Sequence, residues 1–220
     1  MESEIKLSFK NREELFGIID AEWFSDFCLD TSPKETVTLD NTYYDTPDHK
    51  LIRKGGSIRI RKFLDEDDKV CYEHTVKFGG GVTDGLHQRY EWNVKMDSPR
   101  IDLAALKDGA KDADDPAELL DDVLEGISSD DLVPLCSTVF ERTKYMFGFG
   151  DSIMEACFDC GKIEAGDKEE DICELELELE SGDVVDLKEM GQFIIDNTAA
   201  VPFNDSKFKR CLKLLYPDEQ

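Results

Sequence analysis

The sequence has no long hydrophobic run. None of its 220 residues lies in a stretch that approaches the roughly 18 apolar residues of a membrane-spanning helix. The first residues, MESEIK, contain neither the basic segment nor the apolar segment of a signal peptide. We therefore expect a cytoplasmic protein with no membrane partner.

Positive charge is scarce. Lys and Arg number 26 against 51 Asp and Glu, which gives a formal net charge of −25. A surface this acidic repels nucleic acids and anionic membranes, so we expect neither as a partner. A local basic site is still compatible with this balance, and the positions of the bases therefore matter.

Paired cysteines are also lacking, because the seven cysteines are an odd number and are scattered along the chain. We expect reduced thiols, as in cytoplasmic proteins. Cys157 and Cys160 have the CxxC spacing of zinc ligands, but they lie in a predicted strand. Residues three apart on a strand face opposite ways, so a packing role is favoured over a zinc site.

The remaining composition is that of a folded protein, with 40% hydrophobic and 10% aromatic residues. Neither a linker nor an internal repeat interrupts the chain, and we predict a single domain over residues 1–220. Asn11 is a candidate N-cap for a helix that runs to residue 27. An acidic helical excursion is predicted at about residues 97–131, and two amphipathic helices follow near the end.

About eight segments alternate between apolar and polar residues with the two-residue period of a β-strand. In most of them the polar face is charged. One face of SIRIRKF holds Arg59 and Arg61, and one face of DICELELELE holds Glu174, Glu176 and Glu178. An open sheet with one solvated face would also alternate, but it would mix Lys, Glu, Thr and Ser. Arginine pairs and glutamate pairs recur here on different strands.

These faces favour a closed barrel whose apolar side packs outward against helices and whose lumen holds the charges. The predicted fold class is α+β and mainly antiparallel β, with an eight-stranded closed tunnel. Buried charges must be paired with one another, with ligands or with metals. A lumen with separate acidic and basic sectors suits a polyanion carried with divalent cations, because Arg and Lys bind phosphoryl oxygens and carboxylates hold Mg²⁺ or Mn²⁺.

The ordered motifs resemble those of CYTH-domain proteins, the triphosphate tunnel metalloenzymes. Glu2-Ser-Glu4-Ile-Lys6 matches the ExExK signature of that family, and the resemblance covers nearly the whole chain. The further matching segments are, in order, YYDTPDHKLIRKGGSIRIRK, TVK, GLHQRYEW, VFERTKY, FDCGKI, ELELEL and SKFKR. GLHQRYEW in particular resembles the bacterial inorganic triphosphatase branch. ExExK alone is a weak signal, and the ordered set is a strong one.

The resemblance implies roles for residues on the charged faces. It implies Mg²⁺ or Mn²⁺ as the cofactor, held by Glu2, Glu4, Glu91, Asp159, Glu174 and Glu176. It implies phosphate contacts from Lys6, Arg59, Arg61, Lys77, Arg89, Arg142, Lys207 and Arg210. The catalytic residues within these sets would be Glu2, Glu4, Lys6, Lys77 and Glu176. Glu178 is one acid more than the motif needs and is left open, while Glu73 and Lys144 are expected at the lumen mouth or in solvent.

The activity implied by the resemblance is metal-dependent hydrolysis of a triphosphate, with inorganic tripolyphosphate as the preferred substrate, to pyrophosphate and phosphate. Two alternatives stay open: an adenylyl cyclase of the same family, and a non-catalytic module that binds polyphosphate or a nucleotide. Phe140 is the only aromatic residue expected to point into the lumen, so recognition should depend on the phosphate chain. The partner is then a small anionic substrate, and the protein is a monomer or a homodimer.

Overall fold

The computed structural model describes residues 1–65, 67–113 and 115–218. Within these ranges it has nine strands. They are β1 (Glu2–Ser8), β2 (Glu35–Asp45), β3 (Gly56–Leu64), β4 (Val70–Thr83), β5 (Leu86–Met96), β6 (Val133–Phe149), β7 (Ser152–Ala165), β8 (Lys168–Ser181) and β9 (Val201–Pro202). They form one antiparallel sheet in the order β5-β4-β3-β2-β6-β7-β8-β1-β9.

Strand β1 closes this sheet into a barrel, because it pairs with β8 on one side and with β5 on the other. Lys6 lies opposite Glu176 of β8, and Glu2 lies opposite Arg89 of β5. Strands β1 to β8 therefore form a closed eight-stranded barrel, and the short β9 pairs only with the end of β1. The predicted antiparallel α+β barrel is confirmed.

The helices lie between and after the strands. They are α1 (Arg12–Phe16), α2 (Phe24–Phe27), α3 (Lys50–Arg53), α4 (Leu103–Gly109), α5 (Ala117–Leu124), α6 (Val184–Asn197) and α7 (Lys207–Leu215). Two 3₁₀ turns, Ala110–Asp112 and Ser129–Asp131, follow α4 and α5. No helix in the described ranges is long and apolar enough to cross a membrane.

The apolar faces of the strands point outward, and helices cover them. Helices α1, α2 and α6 pack over β1, β6, β7 and β8 in a cluster that includes Leu7, Leu177 and Met190. Helices α4 and α5 pack over β5 and β4 in a second cluster that includes Trp92 and Leu106. Burial of one such side chain stabilises the fold by about 1.5–3 kcal/mol. This outer packing allows the barrel to turn its polar faces inward.

The single helix predicted from Asn11 to residue 27 is wrong in extent. Asn11 does cap a helix, since its Oδ1 accepts a hydrogen bond of 2.9 Å from the backbone N–H of Glu14. Helix α1 ends just before Gly17, a residue of low helix propensity, and the chain turns before α2 begins. The turn brings Leu15 of α1 and Phe24 of α2 into the same hydrophobic cluster on the outside of the barrel, which a straight helix would not do.

The segment predicted as an acidic helical excursion contains α4 and α5, and it lies between β5 and β6. Asp102 caps α4, because its Oδ1 accepts hydrogen bonds of 3.0 Å from the backbone N–H groups of Ala104 and Ala105. That residues 1–220 form a single domain stays a prediction.

Candidate active site

The interior of the barrel holds a cavity of about 460 Å³. Its wall consists of the inward faces of the strands and the beginning of α7. The bases that line it are Lys6, Arg59, Arg61, Lys77, Arg89, Arg142, Lys144, Lys207 and Lys209. The acids that line it are Glu2, Glu4, Glu73, Glu91, Glu155, Glu176 and Glu178. The predicted charged lumen is thus confirmed.

Carboxylates concentrate where β1, β7 and β8 meet, and they form two clusters. The outer cluster is Glu2, Glu4 and Glu178, and the inner cluster is Asp159, Glu174 and Glu176. In each cluster, one oxygen from every carboxylate lies within 4.8 Å of the others. The strand register explains the arrangement, because alternate residues of β8 point inward beside alternate residues of β1 and β7. Glu178, which the motif left open, belongs to the outer cluster.

Bases neutralise the inner cluster. Lys207 Nζ lies 2.7 Å from Asp159 Oδ2 and 3.0 Å from Glu176 Oε1. Arg142 donates two hydrogen bonds of 2.7 Å to Asp159, from Nε and from Nη2. Burial would raise the pKa of Glu176, but Lys207, Lys6 and Arg142 hold it well below its usual range. Glu176 therefore stays ionised.

The outer cluster is compensated less completely. Lys6 Nζ lies 2.9 Å from Glu4 Oε2, and Arg89 Nη2 lies 2.6 Å from Glu4 Oε1. Burial would raise the pKa of Glu4, but Lys6, together with Arg89, lowers it to about 2. Burial raises the pKa of Glu178 to about 6 and raises the pKa of Glu2 well above its usual value. Lys77 Nζ lies 3.0 Å from Glu2 Oε2 and Arg142 Nη1 lies 3.5 Å from Glu178 Oε1, so these two carboxylates each have one base nearby.

This donor set fits a hard divalent cation. Three carboxylates with oxygens within 4.8 Å of one another can converge on one ion, and oxygen is the ligand that Mg²⁺ and Mn²⁺ prefer. Burial raises the pKa of Glu2 and of Glu178, and a bound cation would favour the charged form of both carboxylates. The inner cluster has the same oxygen spacing, but side-chain bases already match its charge.

Strands β3 and β4 form the basic side of the cavity. Their register sets three inward rows: Ser57 with Lys77, Arg59 with Thr75, and Arg61 with Glu73. Arg59 donates from Nη2 to Thr75 Oγ1 at 2.9 Å, and Arg61 donates from Nε to Asn41 Oδ1 at 2.9 Å. Neutral partners orient both guanidinium groups, and the carboxylate of Glu73 lies 3.7 Å from Arg59 Nη2 and 3.6 Å from Arg61 Nη1. We call these rows the Lys77 row, the Arg59 row and the Arg61 row.

Lys77 joins the basic side to the outer cluster. Its Nζ lies 3.0 Å from Glu2 Oε2 and also contacts Glu91. Burial would lower the pKa of Lys77, but these two carboxylates raise it above its usual value. For Arg61 the balance is opposite, because burial and the neighbouring Arg59 lower its pKa to about 10.

Most of the site residues predicted from the sequence line the cavity. The exceptions are Asp159, Glu174 and Arg210. Asp159 and Glu174 are 0% exposed and lie behind the cavity wall in the inner cluster. Arg210 donates from Nε to Glu170 Oε1 at 2.7 Å, and its Nη1 lies 3.2 Å from Glu174 Oε2. Its phosphate contact, like the other individual roles, stays a prediction.

Besides Glu178, four further charged residues line the cavity: Glu73, Lys144, Glu155 and Lys209. Glu73 and Lys144, expected at the mouth or in solvent, have side chains that are 21% and 23% exposed. Glu155 belongs to no predicted site, and its Oε1 lies 3.1 Å from Lys144 Nζ. The two-residue strand period does place Glu155 on the same face as Asp159, so alternation alone could have identified it.

The prediction that Phe140 is the only inward aromatic residue is wrong. Tyr43 of β2 and Phe208 of α7 also line the cavity, and their rings stack with centroids 5.0 Å apart. The ring of Phe140 packs beneath Lys207, whose Nζ lies 4.7 Å from the centroid. Tyr43 and Phe140 are only 7% and 2% exposed, which leaves little ring surface for a nucleobase. Phe208 lies on a helix, where the strand period gives no information.

Known proteins match this chain in sequence. The inorganic triphosphatase of Haemophilus influenzae is 34% identical over 186 residues, which are 84% of this chain and 47% of the relative. The chain therefore spans about half the length of this curated relative.

Solved structures share the fold. A putative adenylyl cyclase from Hippeastrum with a dominant triphosphatase activity has a TM-score of 0.63 at 17% identity, over 98% of this chain and 97% of its own. A putative adenylate cyclase from Bacillus halodurans has a TM-score of 0.54 at 18% identity, over 96% of each chain. A family model described as the CYTH domain matches residues 28–211, most of the barrel and its helices. The chain belongs to the CYTH domain family.

Proposed function

We propose that this chain is a metal-dependent hydrolase of phosphoric anhydrides that converts inorganic tripolyphosphate to pyrophosphate and phosphate. One observation carries the proposal: the outer carboxylate cluster, Glu176 of the inner cluster and three rows with basic side chains line one cavity inside the barrel. The activity in the name of the Haemophilus influenzae relative supports the same reaction.

Family membership implies a divalent metal ion, and we propose Mg²⁺ or Mn²⁺. The outer cluster is the main candidate to hold it, and Glu91 adjoins that cluster through Lys77. The inner cluster is the candidate for a second ion. Some of the bases that contact its carboxylates would then turn toward the substrate. When bound, such an ion polarises phosphoryl oxygens and lowers the pKa of a coordinated water.

The bases of the chain would bind and orient the phosphate chain. Arg59 and Arg61 are candidates, because both line the cavity and neutral side chains orient their guanidinium groups. Among the described residues, the buried Nε atoms of Arg59 and Arg89 have no hydrogen-bond acceptor. Phosphoryl oxygens are acceptors that guanidinium groups bind with two parallel hydrogen bonds.

In phosphoryl transfer, the protein takes little part in covalent chemistry. Most of the rate enhancement comes from positioning of the reactants and stabilisation of charge. Attack of water on a terminal phosphorus forms one P–O bond and breaks the anhydride bond, and the pair of electrons leaves with pyrophosphate. Lys77 and the two arginine rows lie where negative charge on the chain can be stabilised. Lys6, Arg142 and Lys207 keep the carboxylates ionised and in place, and they are further candidates for phosphate contact.

The test is release of phosphate by the purified protein from tripolyphosphate, pyrophosphate, ATP and thiamine triphosphate, at saturating Mg²⁺ and again at saturating Mn²⁺. We expect kcat/KM for tripolyphosphate to exceed that for ATP by about tenfold or more. Cyclic AMP as a product from ATP would replace this proposal with the cyclase. Binding of tripolyphosphate without turnover under either metal would replace it with the non-catalytic module.

We also propose a cytoplasmic protein that acts as a monomer or a homodimer on a small anionic substrate. All seven cysteines are free thiols, which supports a reducing compartment.

A further inference from the structure

Glu73 is a carboxylate within the basic side of the cavity. Its Oε1 lies 3.6 Å from Arg61 Nη1 and 3.7 Å from Arg59 Nη2. Both distances exceed that of a hydrogen bond. Glu73 therefore acts on two guanidinium groups through its charge, and its side chain is 21% exposed to the cavity that it lines.

The orientation of the two arginines does not depend on Glu73. Thr75 accepts a hydrogen bond of 2.9 Å from Arg59, and Asn41 accepts one of 2.9 Å from Arg61. Thr75 is itself fixed, because its hydroxyl donates to Asn93 Oδ1 at 2.7 Å. Loss of the Glu73 charge would therefore change the electrostatic potential of the wall more than its geometry.

The three rows differ in net charge along the cavity. The Lys77 row pairs a lysine with serine, and the Arg59 row pairs an arginine with threonine. The Arg61 row pairs an arginine with Glu73, and it is the only one of the three rows that contains a carboxylate. Neighbouring inward rows on a strand are about 7 Å apart, because the rise is about 3.3 Å per residue. Within the three rows, negative charge therefore enters only at the third.

The Lys77 row adjoins the outer carboxylate cluster, since Lys77 Nζ lies 3.0 Å from Glu2 Oε2. A phosphate chain held at that cluster passes the Lys77 row first and the Arg59 row next. It reaches the Arg61 row last. A phosphoryl group that extends to the Arg61 row meets the like charge of Glu73.

We propose that Glu73 sets the chain-length specificity of the cavity, so that linear polyphosphates longer than tripolyphosphate are disfavoured. The inference rests on the proposed function for the direction in which the substrate lies. Like charges without a counterion between them repel, and a longer chain adds negative charge beside the carboxylate of Glu73. Glu73 is then a residue that discriminates between substrates of the same chemical class.

The experiment compares inorganic tripolyphosphate with inorganic tetrapolyphosphate in the wild type and in Glu73→Gln. We expect Glu73→Gln to raise the ratio of kcat/KM for tetrapolyphosphate to that for tripolyphosphate by about tenfold, through a lower KM for tetrapolyphosphate. Glu73→Asp keeps the charge and should keep the wild-type ratio. An unchanged ratio in Glu73→Gln, or a ratio in Glu73→Asp that follows Glu73→Gln, would overturn the proposal.

Two further measurements keep the result clear. Glu169→Gln removes a carboxylate that is 63% exposed on the β7–β8 hairpin, and it should leave the ratio unchanged. If Glu73→Gln does not fold, Glu73→Thr supplies a neutral residue of the kind found in the Arg59 row.

Calorimetric titration with each polyphosphate, in the presence of Mg²⁺, measures the same preference as a ratio of affinities. A wild type that binds but does not hydrolyse contradicts the proposed function, whereas an equal affinity ratio in wild type and Glu73→Gln contradicts this inference alone.

Discussion

The carboxylate of Asp115 accepts a hydrogen bond from the backbone N–H of Glu91, with Oδ2 and N 2.8 Å apart. Glu2, the first residue of β1, pairs with Arg89, so the pairing of β1 with β5 stops short of Glu91. Asp115 supplies the hydrogen-bond acceptor at this position instead of a strand partner. Its backbone carbonyl also accepts a hydrogen bond from the indole N–H of Trp92 at 3.3 Å. The helical excursion between β5 and β6 therefore holds the strand that carries Arg89 and Glu91 into the cavity.

This relationship predicts that Asp115→Ala destabilises the protein by about 1–3 kcal/mol, because a buried N–H loses its acceptor. We also expect lower kcat/KM for tripolyphosphate, since Glu91 and its partner Lys77 lose their support. Urea denaturation and phosphate release measure the two effects. Asp121→Ala removes a surface carboxylate, 67% exposed, from the same excursion and should change neither. Parallel behaviour of the two variants would refute the role of Asp115.

Two adjacent residues of β3 should respond in opposite ways to substitution. Arg59→Leu should reduce kcat/KM for tripolyphosphate by about 100-fold or more while the melting temperature changes little, because the guanidinium faces the cavity. Ile58→Asp should unfold the protein, because Ile58 is 0% exposed and packs outside the barrel in the hydrophobic cluster that includes Trp92.

Thermal melts and phosphate release of both variants provide the measurement. Arg53→Leu is the matched control for loss of an arginine, since Arg53 is 62% exposed and pairs with Asp48 on the surface. Mild and equal effects of Arg59→Leu and Ile58→Asp would contradict the assignment of faces.

Chelation should abolish activity. The outer cluster would lose the cation that offsets its charge, and Glu4→Gln should raise the Mg²⁺ concentration for half-maximal activity by about tenfold or abolish turnover. Glu180→Gln is the control, because Glu180 lies on the same face of β8 but is exposed. Activity titrations against Mg²⁺, with a thermal melt of each variant, decide the matter. Full activity of Glu4→Gln at low Mg²⁺ would rule out this ligand set.

Acid should destabilise the protein partly through His87. The ring is 1% exposed, and its Nε2 donates to the carbonyl oxygen of Phe203 at 2.9 Å. Burial, and then the charge of Lys6, lowers the pKa of His87 to about 4. In the unfolded chain, His87 binds a proton at about pH 6.5. Above that pH, the contribution of the neutral ring to the free energy of unfolding is fully retained. This contribution falls by about 3 kcal/mol as the pH approaches 4.

Substitution isolates this contribution. His87→Gln keeps a donor near Phe203 and removes the titration, so its free energy of unfolding should fall less steeply between pH 6.5 and pH 4. Urea denaturation at several pH values measures both slopes. Other buried groups, such as His74, titrate in both proteins and cancel in the comparison. Equal slopes would mean that His87 is protonated in the folded state.

Strand alternation predicted the faces of the barrel because one period decides every residue of a strand. Glu174 and Glu176 point inward and Leu175 and Leu177 point outward, as the pattern of β8 requires. The same argument fails for α7, where Lys207 lines the cavity while Arg210, three residues on, binds Glu170 outside it. A helix presents neighbours at several angles, and its position over a barrel depends on packing that no local pattern encodes.

The hydrogen bond from Glu91 to Asp115 was unpredictable for a related reason, whereas Gly17 was a local signal for the end of α1. The hydrogen bond depends on contact between segments that are distant along the chain, since the beginning of β1 lies beside the excursion after β5. The order of the family motifs could indicate which residues share the cavity, but not which carboxylates remain under-neutralised. The pKa of Glu178 is raised and that of Glu176 is lowered. This difference depends on the burial of each side chain and on its distances from the bases.

The inward placement of so many arginines and lysines has a consequence for the outer surface. The chain has a net charge of −25, while nine of its bases line the cavity inside the barrel. A polyphosphate that diffuses toward the protein is therefore repelled before it is attracted. Electrolyte screens the distant repulsion more than the buried contacts. The rate of substrate association should accordingly rise with ionic strength at first, opposite to the usual behaviour of a positively charged binding site.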